Sequence, residues 1–182
     1  KAEKRRDELQ KAIALKNVNQ ADTADGGICY LTFDDGPSTN TLKILDILDT
    51  YGAKATFFVV GTAKLQYLPQ IVEKGHTIGL HSNTHNYSKI YKSTDAFFND
   101  LTALSQKVYD VAGIHSKVVR FPGGSSNNVS KSYCKGVMTR LTSQVKIKGY
   151  AYFDWNVDSG DASGKNVPAK TITNNVLTAA AK

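Results

Sequence analysis

The sequence predicts an α/β fold built on a parallel sheet. Two observations carry this. From residue 28 onward, short runs rich in β-formers alternate with stretches of helical periodicity. The polar and glycine-rich clusters follow those runs, and strand–helix alternation with short loops implies parallel strands joined by right-handed crossovers. Size and composition agree. A chain of 182 residues allows one domain and not comfortably two, and 41% hydrophobic with 21% charged residues is an ordinary globular balance.

The elements follow in order. Residues 1–20 are helix-prone and close to half charged, with only a thin apolar stripe of Leu9, Ile13 and Leu15, and residues 21–27 read as a loop. Residues 1–26 are therefore expected to be an appendage of helix and linker, either the end of a stalk or a helix packed on the main domain. The main domain is expected to span residues 27–182. Its first strand is Ile28–Phe33, running into Asp34-Asp35-Gly36-Pro37. A helix from Thr39 to Tyr51 places Leu42, Leu45, Ile47 and Leu48 on one side and stops at Gly52. Ala55–Val60 is the second strand, and Ala63–Lys74 is helical around a break at Pro69. Thr77–Leu80 is the third strand, running straight into His81; Thr94–Ala112 is a long amphipathic helix. Lys117–Phe121 and Tyr150–Trp155 are the fourth and fifth strands, with helices at Ser130–Ile147 and Pro168–Ala181.

No apolar run approaches the ~20 residues that a membrane span needs. The chain starts at Lys1, without Met, as a mature or trimmed product would. The net charge of +7 is compatible with nucleic acid, yet no Lys/Arg stripe is interleaved with aromatics, and no nucleic-acid partner is expected. An anionic wall or polymer surface accounts for a mild positive field equally well. The two cysteines, Cys29 in a strand and Cys134 in a helix, read first as small buried hydrophobes; a disulfide between them is the lesser alternative.

The residues capable of chemistry gather after the strands. In (β/α) architectures, the loops at the C-terminal ends of strands build the active site. Asp34 and Asp35 repel each other unless something positive balances them, and a metal ion is the usual solution; alternatively, Asp-Gly-Pro simply starts a turn. His81 and His85 are four residues apart and share a side if the segment turns helically; two imidazoles and a carboxylate form a catalytic-type ligand set. Taken alone, a histidine pair reads more simply as surface, and His76 and His115 have no such context. Arg120 at a strand end can hold and orient a carboxylate, and the glycines that follow let backbone N–H groups approach a ligand. Trp155, Asp158 and Asp161 close the series, with acidic residues beside an aromatic, as suits a sugar.

Together, TFDDG, HSNTH, RFPGG and WNVDSGD resemble, in order and position, the first four motifs of the polysaccharide deacetylase family, the NodB-homology domain also called carbohydrate esterase family 4. The resemblance covers about residues 28–182. It implies a distorted (β/α) barrel and a metal-dependent hydrolase that removes acetyl groups from an N-acetylated glycan. It implies that Asp34 is the general base, that Asp35, His81 and His85 hold the metal, and that Arg120 contacts the base. It also implies that Gly123 offers its N–H to the oxyanion, that Asp161 tunes a distal histidine, and that Trp155 and Asp158 support the pocket. Zinc is the first choice of metal, with cobalt, nickel and iron as alternatives.

Two departures stand out. Ala162 replaces the tryptophan that often follows the aspartate matched by Asp161, and the fifth motif, a Leu-x-His bearing the general acid, is absent. Five strands do not close a barrel and leave bare edges. The natural protein is therefore expected to continue past Lys182. Peptidoglycan is the expected substrate, with chitin oligomers, acetylxylan and surface poly-N-acetylglucosamine as rivals. A non-catalytic glycan-binding domain and a phosphoesterase are the alternatives outside that chemistry. The protein is expected to be a monomer acting outside the cell or at its surface, attached through an upstream segment.

Overall fold

Strands and helices alternate along the chain in the computed structural model, which describes residues 28–181. By residue contacts the chain divides into Lys1–Leu31 and Thr32–Lys182. The expected appendage, residues 1–26, lies outside the described residues. The order is β1 (Leu31–Gly36), α1 (Thr39–Thr50), β2 (Ala55–Val60), a 3₁₀ turn (Leu65–Tyr67) leading into α2 (Leu68–Glu73), and β3 (Thr77–Ser82). Then come α3 (Tyr87–Ile90), α4 (Thr94–Ala112), β4 (Val118–Val119), α5 (Val137–Ile147), β5 (Ala151–Tyr152) and α6 (Ala169–Ala180).

Among the described residues the strands form one five-stranded sheet in the order β1-β2-β3-β4-β5. The β2–β3, β3–β4 and β4–β5 pairs are parallel. Strictly sequential order is the winding of a (β/α) barrel, without the reversal of a doubly wound sheet. It brings the strands' C-terminal ends to one rim, so residues far apart in sequence meet there.

The helices are built as their sequences require. Ser38 caps α1 by accepting from the Asn40 N–H at 3.2 Å, and its own N–H donates to Thr41 Oγ1 at 2.9 Å, a reciprocal capping box. On α1, Leu45 and Leu48 are buried, but Ile47 points to solvent. In α4, Ser93 is the N-cap, Gly113 ends the helix in the left-handed region, and Phe97, Leu101, Leu104 and Val108 form the buried stripe. These side chains pack with the buried residues of β2 and β3 in a single core. Truncating a fully buried leucine such as Leu104 to alanine would cost about 2–5 kcal/mol.

Several boundaries differ from expectation. Pro69 does not break α2; it sits in the first helical turn, where its missing N–H has no helical partner to lose. The helix expected over Ser130–Ile147 splits into a 3₁₀ turn (Val129–Ser132) and α5, because Gly136 takes the left-handed conformation between them. The first strand begins at Leu31 and not Ile28, so Cys29 precedes it and is exposed. Cys134 is half-buried in the turn before α5, where its sulfur accepts from Arg140 Nη2 at 3.1 Å. Both cysteines are free, which corrects the reading of two buried side chains.

Candidate active site

Two strand ends, those of β1 and β3, bring Asp35, His81 and His85 together. Asp35 follows β1's apolar segment and lies at φ 64°, a left-handed conformation that aspartate tolerates better than most residues. His81 ends β3 and is buried, while His85 lies four residues on at φ 49°. Asp35 Oδ1 lies 3.5 Å from His81 Nε2 and 3.3 Å from His85 Nε2. The donor atoms of all three residues lie within 4.8 Å of one another.

This set fits a divalent cation. Donors at ~2.0–2.1 Å from a tetrahedral ion stand about 3.3–3.4 Å apart. The two carboxylate–imidazole separations are close to that. His81 Nδ1 lies 2.7 Å from the Arg120 carbonyl oxygen, to which it donates, so Nε2 is left with its lone pair toward Asp35. Burial lowers the His81 pKa, favouring the neutral imidazole that can act as a ligand, against the opposing pull of Asp34.

Asp34 is held from the other side. Arg120 is buried, and its guanidinium donates to Asp34 Oδ1 and to Thr32 Oγ1, each at 2.8 Å. It also donates to the carbonyls of Phe153 and Asp154, each at 3.0 Å, and lies over the Phe58 ring at 4.2 Å. Through its side chain and its own carbonyl, Arg120 therefore links the ends of β1, β3, β4 and β5. Asp34 Oδ2 accepts no hydrogen bond among the described residues.

Gly123 follows β4 at φ 78°, exposed, and its N–H has no acceptor among the described residues. A Cβ there would meet Tyr87 Oη at 3.0 Å and Asn127 Cβ at 3.3 Å, so glycine leaves the only room available. Tyr91 anchors this loop from below by donating to the Pro122 carbonyl at 2.7 Å; burial raises its pKa far above the ordinary range. Asp154 clamps the loop by accepting from the Ser125 N–H at 2.9 Å and from the Ser125 hydroxyl.

The remaining candidates lie further out. Trp155 is partly exposed, with the Arg120 guanidinium 5.5 Å from its ring. Asp158 accepts from the Gly160 N–H at 2.8 Å, and Asp161 accepts from the Ser159 hydroxyl at 2.6 Å. Both are exposed and bonded within their own loop, and no contact joins them to Asp34 or the histidines among the described residues.

Two neighbours were not singled out from the sequence. The Tyr87 ring meets His85 edge-on at 5.7 Å. Asp100 on α4 bonds the segment between the histidines. Asp100 falls among Phe97, Leu101 and Leu104, so a carboxylate on the apolar stripe was the signal available for it.

Comparison with known proteins bears on this arrangement. The family model described as polysaccharide deacetylase matches residues 21–138. A peptidoglycan-N-acetylglucosamine deacetylase of Bacillus cereus is 34% identical over 163 residues, covering 85% of this chain and 56% of the relative. The catalytic domain of a peptidoglycan N-acetylglucosamine deacetylase from Eubacterium rectale superposes with a TM-score of 0.82 at 43% identity, covering 89% of this chain and 77% of that one. A polysaccharide deacetylase from Bacillus cereus superposes with a TM-score of 0.71 at 33% identity, covering 84% and 73%. The chain spans about half the length of the curated relatives it matches. On the family model and on these identities, the chain belongs to the polysaccharide deacetylase family.

Proposed function

We propose that this protein hydrolyses acetyl groups from an N-acetylated glycan, peptidoglycan first, with residues 27–182 as its catalytic domain. One observation carries the reading: a carboxylate and two imidazoles converge beside a second carboxylate that a buried arginine holds at 2.8 Å. The peptidoglycan deacetylases among its relatives support the substrate class. They also support action outside the cell or at its surface, and the reading takes the protein as a monomer. No helix among the described residues is long and apolar enough to cross a membrane.

Asp35, His81 and His85 would hold the divalent metal, with zinc the first choice for two imidazoles and a carboxylate. A bound ion would supply Lewis acidity to the attacking water and the acyl oxygen. Asp34 takes the water's proton, its Oδ1 fixed by Arg120 and its Oδ2 free to accept. The unbonded Gly123 N–H donates to the oxygen that gains charge, a contact typically worth ~2.7–4 kcal/mol in the transition state. Trp155 and Asp158 take the glycan side of the pocket, and Asp161, bonded to Ser159 in the same loop, takes the tuning of a distal histidine that the resemblance implies. The test is acetate release from N-acetylglucosamine oligomers and from peptidoglycan, with zinc and with a chelator. Zinc-dependent release is expected. Zinc binding together with glycan binding but no acetate would replace the enzyme with a glycan-binding domain.

A further inference from the structure

Behind the His81–His85 segment, one carboxylate takes four hydrogen bonds from three consecutive residues. Asp100 Oδ2 accepts from the Ser82 hydroxyl and from the Asn83 N–H, each at 2.7 Å. Its Oδ1 accepts from the Thr84 N–H at 3.0 Å and from the Thr84 hydroxyl at 2.8 Å. Ser82 Oγ in turn accepts from the His85 N–H at 2.9 Å. The chain of bonds thus runs from a rigid 19-residue helix, through a serine hydroxyl, to the backbone of His85.

This matters because His85 is in an unfavourable backbone state. Its φ of 49° lies in the left-handed region, which a non-glycine residue keeps only where its surroundings hold it. Its neighbours have few other anchors. The Asn83 and Thr84 N–H groups find their acceptor in Asp100 and nowhere else among the described residues. His81 does not depend on this carboxylate, because it is fixed by the Arg120 carbonyl and by the β3 ladder.

We propose that Asp100 is a positioning residue for the metal site, acting through Ser82 to set His85 Nε2 against Asp35. The proposal rests on the metal-binding reading of Asp35, His81 and His85. It assigns a supporting role to a residue on α4, outside the four strand-end motifs.

The test uses Asp100→Asn and Ser82→Ala, with His81→Ala as a reference. Three quantities are measured: zinc affinity by competition with a chromophoric chelator, the visible spectrum of the cobalt-substituted protein, and the thermal midpoint of the metal-free protein. Asp100→Asn is expected to weaken zinc binding roughly 10- to 100-fold and to change the cobalt spectrum, as loss of an outer-sphere partner does. Ser82→Ala leaves the Asn83 and Thr84 bonds to Asp100 in place and removes the hydroxyl that joins Asp100 to the His85 N–H. It is expected to move affinity and spectrum in the same direction with little change in the metal-free midpoint, and this keeps the test decisive if Asp100→Asn folds poorly. If the metal-free midpoints fall while affinity and spectrum match the parent, Asp100 serves the fold alone and the proposal is overturned. Zinc binding by the parent that His81→Ala abolishes keeps the metal reading intact in that case. A parent protein that binds no zinc overturns both.

Discussion

Arg120→Lys separates two jobs that one residue performs. The side chain is buried and donates to Thr32 Oγ1, Asp34 Oδ1 and the carbonyls of Phe153 and Asp154. Lysine keeps the charge but has one nitrogen and no fork, so it can hold Asp34 and not the acceptors spread around it. At least two acceptors lose their donor; the residues that carry them are partly exposed, so water replaces part of each bond, and each loss costs about 1–2 kcal/mol. A loss of roughly 2–4 kcal/mol in unfolding free energy is expected, read as a lower urea midpoint. Turnover is expected to fall about 100-fold, since a displacement near 1 Å of a reacting group costs that much. Zinc content should hold, because His81 is anchored by the Arg120 main-chain carbonyl, which the substitution leaves in place. The reasoning is refuted if acetate release stays near normal, or if zinc is lost as completely as in His81→Ala.

Three further outcomes are expected. Asp34→Asn keeps zinc by elemental analysis but loses about 10²–10⁴ in turnover, as removal of a general base does; near-normal rates would remove Asp34 from that role. Gly79→Ala places a Cβ 2.4 Å from Phe58 Cδ1 and pushes on the ring beneath the Arg120 guanidinium, so a cost of about 1–3 kcal/mol in unfolding free energy is expected, and an unchanged urea midpoint would show that the sheet absorbs it. His76 is buried, accepts from the Ala55 N–H, and its pKa is lowered first by burial and then by Lys54. The unfolded chain therefore takes up this proton more readily. The stability tied to neutral His76 is complete above the unfolded value near 6.5 and is lost as pH falls through the folded one. His76→Gln should flatten the acid side of a stability–pH curve between pH 7 and 5, and an unchanged slope would exclude His76 as its source.

The strand ends carried most of what the sequence could say about the site. Asp34, Asp35, His81, His85 and Arg120 are close in space because sequential parallel strands share one rim; the parallel strands were legible from the alternation of patterns, and the barrel winding only from the resemblance. β2 and α4 lie where their periodicity placed them. β4 and β5 shrink to two residues each, although their apolar runs are longer. Beyond the ladder, Phe153 and Asp154 turn their carbonyls to the Arg120 guanidinium, a demand of the site that β propensity does not encode. Asp100 was missed for a related reason: its place on the apolar stripe of α4 is a faint signal in sequence, and its meaning lies in the four donors that tertiary packing brings to it.

The Arg120 junction also bears on how the protein matures. Its partners lie 86 residues upstream at Asp34, 39 upstream at His81 and 34 downstream at Asp154. No local piece of chain contains the finished arrangement. Contacts so distant in sequence are slow to close, because the intervening loops lose their freedom before the contacts form. A chain ordered only through β3 lacks both the Arg120 carbonyl that fixes His81 and the guanidinium that holds Asp34, and the junction is complete when the end of β5 arrives. In a refolding time course, helical signal should therefore return before acetate release. A molecule with the complete Arg120 junction is thereby one whose sheet has been assembled through its fifth strand.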